Sequence, residues 1–295
     1  MSVPFQPTGV FAPNITPFSA QSVDESSLRR VLDYLIEGSV NGLVPCGTTG
    51  ESATLTYEEH RRVVELTVQH AASRLPVIAG TGSNSTAEAI ALTKHAEEVG
   101  ADAALLICPY YNRPSQAGLV AHFTRVAEAT SLPIIMYNIP KRTGVNMEAA
   151  TTAQLSRVPN IVGIKEASGD LNQVAAIIHL ADPDFAVLSG DGNLTLPICS
   201  LGGVGAILAD AHILPAEWRR MVELIAAGDI NQAREIHYRL LPITHALFLE
   251  TNPAPVKAAL DLMGVAPPDT RLPLLPATDA CRAALREELQ KLGLL

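Results

Sequence analysis

Eight short apolar runs punctuate the chain. They are GVFAPNI from Gly9, GLVPC from Gly42, PVIAG from Pro76, AALLIC from Ala103, PIIMY from Pro133, IVGIK from Ile161, FAVLSG from Phe185 and GVGAIL from Gly203. None alternates apolar with polar positions. A strand with one wet face alternates; a strand covered on both faces reads as a continuous apolar run, so these eight predict a parallel sheet. Between the runs, apolar residues recur at helical spacing. Ser22–Glu25 has the Ser-x-x-Glu form of a capping box and leads into Leu28, Val31, Leu32, Leu35 and Ile36, stopping at Gly38. Thr56–Glu59 repeats the pattern before Val63, Val64 and Val68. Ser85–Glu88 repeats it before Ile90, Leu92, Ala96 and Val99, closed by Gly100, and Asp170 is placed to cap the helix after the sixth run.

Strand–helix alternation repeated eight times predicts an α/β chain closed into a (β/α)8 TIM barrel. The rival is a doubly wound open sheet, disfavoured by eight regular units without a nucleotide fingerprint. From about Asp229 the strand signal stops. Residues 229–248 and 278–292 read as helices separated by a stretch with six prolines between Pro253 and Pro276. Residues 1–228 are therefore expected to form the barrel and 229–295 a C-terminal helical extension. The 295 residues accommodate a barrel of about 250 plus such an appendage.

Composition narrows the function. Only 17% of residues are charged, which fits a large buried core, and the net charge of −9 disfavours nucleic acid and anionic lipid as partners. An anionic substrate would have to be drawn in locally. The four cysteines form no CxxC pair and the eight histidines no HxxxH pair, so neither disulfides nor a metal centre are expected. The N-terminus lacks the pattern of a secretory signal and no apolar run is long enough to span a membrane, so the expected location is the cytoplasm.

In a barrel of this kind the chemistry gathers at the C-terminal ends of the strands. Those ends supply Thr16, Gly47-Thr48-Thr49-Gly50-Glu51, Gly82, Tyr110, Tyr111, Tyr137, Lys165, Asp191, Gly205 and Ile207. Lys165 closes an apolar run, so its amine enters from a dry wall. Desolvation disfavours the ammonium, and a neutral amine attacks carbonyls to form an imine. Equally, Lys165 reads as a structural lysine paired with Glu166 or Asp191. Tyr137, on the preceding strand, is either a proton relay for that amine or a packed aromatic. The GTTG turn offers hydroxyl and N–H donors to a carboxylate, or is an ordinary glycine-rich turn. Arg142 is either a carboxylate clamp or a solvated surface residue.

Four longer motifs add a resemblance. GTTGE at 47–51, YNIPKRTG at 137–144, GIKEASGD at 163–170 and ETNPAPVKAAL at 250–260 resemble the dihydrodipicolinate synthase and N-acetylneuraminate lyase superfamily, from about Gly9 to Pro276. The synthase branch condenses pyruvate with aspartate 4-semialdehyde in lysine and diaminopimelate biosynthesis. The resemblance implies that Lys165 forms the Schiff base and that no other cofactor is needed. It implies that Thr49 holds the pyruvate carboxylate, and that Thr48, Tyr137 and Tyr111 relay protons, Tyr111 from a neighbouring subunit. Arg142 would grip the semialdehyde carboxylate, and Gly205 and Ile207 would line the pyruvate pocket. A homotetramer, a dimer of dimers, is the implied assembly.

Thr48 and Arg142 separate the branches, because the sialic-acid lyases usually carry serine in the first motif and no arginine in the second. Two other readings stand beside the synthase: an aldolase using pyruvate with a sugar acid or a 4-hydroxy-2-oxo acid, and a non-catalytic ligand-binding barrel. The resemblance also implies a regulatory lysine site at Ser52, Ala53, Tyr57, His60, Asn84, Glu88 and Tyr110. Glu88 would face the ligand's ammonium. Tyr57 replaces a histidine often found in inhibited members, which implies weak or moderate inhibition.

Overall fold

The computed structural model describes residues 5–295. Eight parallel strands form the barrel: β1 (Gly9–Ala12), β2 (Gly42–Leu43), β3 (Ile78–Gly80), β4 (Ala103–Ile107), β5 (Ile134–Asn138), β6 (Ile161–Glu166), β7 (Ala186–Ser189) and β8 (Gly205–Ile207). They pair in sequence order from β3 round to β8, then β1 and β2. A parallel bridge between Leu43 and Val77 joins β2 to β3 and closes the ring, which removes the open-sheet alternative. Each strand lies on one of the eight apolar runs, β5 and β6 running one residue past theirs, to Asn138 and Glu166.

The continuous apolar character has the expected cause. Leu105, Ile135, Tyr137, Leu188 and Ile207 fill the barrel interior. Their neighbours Ala104, Leu106, Ile134, Met136 and Val187 face outward into a second layer under the helices. Barrel closure also demands small residues. A Cβ on Gly205 would lie 2.0 Å from the carbonyl oxygen of Gly9 on the adjoining strand, closer than any side chain tolerates.

The helices are α1 (Glu25–Glu37), α2 (Tyr57–Ala71), α3 (Thr86–Glu98), α4 (Gln116–Ala127), α5 (Ala149–Leu155), α6 (Leu171–Leu180), α7 (Thr195–Ser200), α8 (Pro215–Ala226), α9 (Ile230–Leu247), α10 (Ala254–Leu262) and α11 (Asp279–Lys291). Thr56 and Glu59 form the full capping box of α2, and Asp170 caps α6. The other two boxes differ from expectation. Ser22 pairs with Ser19 in a small antiparallel hairpin, and Asp24 caps α1 by accepting from the Ser27 N–H at 3.0 Å. Ser85 does cap α3, but the Glu88 carboxylate turns to the Ser83 hydroxyl, so the box is half made. The proline-rich stretch, read as a separator, contains α10. Pro253 and Pro255 sit at its start, where a missing N–H forfeits no helical bond.

Candidate active site

The floor of the site follows from strand register. Tyr137 on β5 lies directly across from Lys165 on β6, and both point inward at the C-terminal end of the barrel. Lys165 is 6% exposed, with its Nζ 4.2 Å from the Tyr137 ring centroid. No described residue forms an ion pair or hydrogen bond with it, so the structural-lysine reading loses both its partners. Glu166 faces the other way, accepting from the Ser168 N–H at 2.6 Å and from Asn138 at 3.1 Å. Asp191 caps a turn, accepting from the Asn193 N–H at 2.9 Å. Burial drives the Lys165 ammonium down to about 7, opposed by the negative charge of Asp210 and helped by Arg142. Burial likewise raises the Tyr137 phenol to about 12, against a hydrogen bond with Thr48. A neutral amine beside a protonated phenol can attack a carbonyl and hand a proton to the leaving oxygen.

The wall is built by loops. After β2 the chain makes tight turns in which the Gly50 and Glu51 N–H groups donate to the Gly47 and Thr48 carbonyls, both at 3.1 Å. Thr16 pins the turn by donating to the Gly50 carbonyl at 2.7 Å. After β5, Pro140 starts a single helical turn, Pro140–Thr143, closed by Gly144 at φ 75°. That turn sets Arg142, whose Nη2 donates to the Asn252 main-chain carbonyl at 3.0 Å. The Asn252 side chain in turn donates to Thr49 Oγ1 at 3.1 Å.

Thr48, Thr49, Tyr137, Arg142, Lys165 and Asn252 thereby border one cavity of about 60 Å3. Three residues expected there are placed elsewhere. Gly205 begins β8 against the Gly9 backbone, and Ile207 is packed within the barrel interior beside Leu188; neither borders the cavity. The glycine that does border it is Gly190, where a Cβ would come within 3.0 Å of Lys165 Cε. Tyr111 is 90% exposed, so within one chain it takes no part in the constellation.

A family model described as the dihydrodipicolinate synthetase family matches residues 6–292. The chain belongs to that family. The 4-hydroxy-tetrahydrodipicolinate synthases of Syntrophus aciditrophicus and Methanothrix thermoacetophila are 51% and 54% identical to it over 287 residues. Each alignment covers 97% of this chain, and 99% and 97% of the two relatives. Among solved structures, the chloride-inhibited dihydrodipicolinate synthase from Acinetobacter baumannii, complexed with pyruvate, superposes with a TM-score of 0.95 at 42% identity, covering 98% of this chain and 99% of that one. A Cyanidioschyzon merolae synthase with lysine bound gives 0.94 at 42% identity, with the same coverage.

In this member of the dihydrodipicolinate synthetase family a second cavity, of about 660 Å3, adjoins the first and shares Thr48, Tyr137, Arg142 and Asn252 with it. Ser52, Ala53, Tyr57, His60, Glu88 and Tyr110 line it, and Asn84 does not. His60 is buried and held neutral, its pKa pushed down to about 4, with Nε2 2.9 Å from the Gly80 carbonyl oxygen. No helix is long and apolar enough to cross a membrane among the described residues.

Three residues at the site were missed from sequence. Gly190 ends the seventh apolar run, so the strand-end rule should have found it. Asp210, buried with its pKa raised to about 7 chiefly by burial, lies beyond the end of β8. Asn252 lies in the helical extension, where a rule confined to strand ends does not look.

Proposed function

We propose that the chain condenses pyruvate with L-aspartate 4-semialdehyde to give 4-hydroxy-tetrahydrodipicolinate, through an imine on Lys165. One observation carries the reading: a buried lysine without a counter-ion among the described residues, its amine pushed towards neutrality, sits against Tyr137 in a cavity that also presents Thr48, Thr49 and Arg142. The Lys165 amine adds to the pyruvate ketone, and Thr48 and Tyr137 pass the protons that release water from the carbinolamine. The resulting cationic imine draws electrons from the methyl group, which loses a proton to give an enamine. The enamine carbon bonds to the aldehyde carbon, whose oxygen takes up a proton. The semialdehyde's own amine then displaces Lys165 and closes the ring. Thr49 holds the pyruvate carboxylate and Arg142 that of the semialdehyde. The lysine-forming pathway is the corresponding place in metabolism.

Tyr111 completes the relay from a neighbouring copy of the chain in a tetramer, which its exposure supports. The larger cavity takes lysine as an inhibitor, with Glu88 facing the ammonium; six of the seven residues expected for that role line it.

The test is turnover of pyruvate with aspartate semialdehyde, with Arg142→Ala alongside. Turnover that falls by about two orders of magnitude in the variant is expected, since a bidentate charge-assisted contact is lost. Folded protein that is trapped by borohydride with pyruvate yet ignores the semialdehyde points instead to an aldolase for sugar acids or 4-hydroxy-2-oxo acids. Absence of any trapping points to a binding barrel.

A further inference from the structure

We propose that Asn252 is a positioning residue that aims the Thr49 hydroxyl at the carboxylate of the 2-oxo acid while its main-chain carbonyl fixes Arg142. The proposal rests on the pyruvate reading above and says how that pocket is oriented. Asn252 is 6% exposed and borders both cavities. Its Nδ2 donates to Thr49 Oγ1 at 3.1 Å, and its carbonyl accepts from Arg142 Nη2 at 3.0 Å. It is thus one residue joined to both of the groups assigned to substrate carboxylates.

The hydroxyl of Thr49 has one proton to give and two lone pairs to receive. Asn252 occupies a lone pair, and no described residue accepts the proton. Thr49 is nearly buried at the edge of the small cavity, so that proton is kept for a ligand beside Lys165. The other amide atom reinforces the point. Asn252 Oδ1 is buried and accepts from no described residue, so among them the amide is engaged through its donor alone.

A residue serving only to hold the C-terminal segment in place would cost stability in both variants and leave the half-saturating pyruvate of the folded protein unchanged. Positioning predicts a pyruvate defect in both, the larger in Asn252→Asp. Aspartate accepts the Thr49 proton, turns it from the substrate and adds a negative charge beside a carboxylate. Alanine only removes the amide and leaves the main-chain carbonyl on Arg142.

The experiment is borohydride trapping of pyruvate on the full chain, read by intact mass across pyruvate concentrations, with semialdehyde KM measured in parallel. Half-saturating pyruvate is expected to rise about tenfold in Asn252→Ala and about a hundredfold in Asn252→Asp. The semialdehyde KM of the alanine variant should move less than about twofold, since loss of a contact it does not make leaves binding unchanged. Thr49→Val supplies the cross-check. It should reproduce the pyruvate defect of Asn252→Ala, and the double variant should add nothing to it. Unchanged pyruvate dependence, an aspartate variant milder than the alanine one, or additive losses in the double variant would each overturn the proposal. Wild-type protein that traps no pyruvate would remove the pyruvate reading along with it, whereas normal trapping in wild type and variants alike removes this proposal alone.

Discussion

Tyr137 and Lys165 stand on neighbouring strands whose main chains pair residue for residue, so their approach is set by barrel geometry. Thr48, Thr49 and Arg142 stand on loops, and their supports come from far along the chain. Asn252 holds Thr49 and Arg142. Lys257, fully buried on α10, pairs with Glu51 at the end of the GTTGE turn and also donates to the Asp269 carbonyl at 2.7 Å. The Arg271 N–H donates to the same Glu51 carboxylate at 3.1 Å, and the Arg271 guanidinium grips Glu59 on α2. Lys257 and Arg271 both lie over the Phe18 ring, 4.3 Å from its centroid. The floor of the site therefore comes from the repeating architecture, and the support of its wall from a single non-repeating segment. Reactivity and recognition should accordingly fail separately.

The largest expected effect is on the floor. Lys165→Ala should lower turnover by about four orders of magnitude or more, as loss of a covalent nucleophile does, with an unchanged melting transition. Residual turnover within tenfold of wild type would refute the imine. Tyr137→Phe keeps the ring over Lys165 and removes only the proton, so turnover should fall about a hundredfold to a thousandfold. If pyruvate trapping is no slower in that variant, Tyr137 plays no part in the relay.

On the wall, Lys257→Met leaves Glu51 buried and unpaired, and should cost about 3–5 kcal/mol of stability in denaturant unfolding. Adding Glu51→Gln should recover most of it. Equal stability of the single and double variants would mean the pair is not what holds the turn. The gentlest probe is pH. With its pKa lowered to about 7, Lys165 is mostly neutral above that value and mostly ammonium below it, so the rate of pyruvate trapping should drop roughly tenfold per unit as pH falls through 6. The negative charge of Asp210 favours the ammonium and the positive charge of Arg142 opposes it, so Asp210→Asn should move this acid limb to lower pH. A limb that stays put would mean Asp210 does not act on Lys165.

The same contrast explains what was legible in the sequence. Strands buried on both faces need continuous apolar runs, and all eight stood out, along with the strand-end positions of Tyr137 and Lys165. Thr56 and Asp170 also announced their caps. The wall was harder to read, because Glu51, Asn252 and Lys257 meet only through tertiary packing, and no local period encodes a contact between residues two hundred positions apart. Prolines hid α10, since Pro253 and Pro255 look like breakers until their place in its first turn is seen. Gly205 was misplaced for a related reason: a glycine serving strand closure and one making room for Lys165 look alike in sequence.

The pairing of Lys257 with Glu51 bears on the order in which a working enzyme comes into being. A ribosome delivers Tyr137 and Lys165 well before Asn252, Lys257 and Arg271. At the moment β8 leaves the exit tunnel every barrel strand exists, yet the GTTGE turn lacks its Lys257 and Arg271 contacts and Arg142 has no Asn252 carbonyl to lean on. Competence arrives with the final stretch of synthesis, so a prematurely terminated chain holds the reactive amine without the means to present a substrate to it.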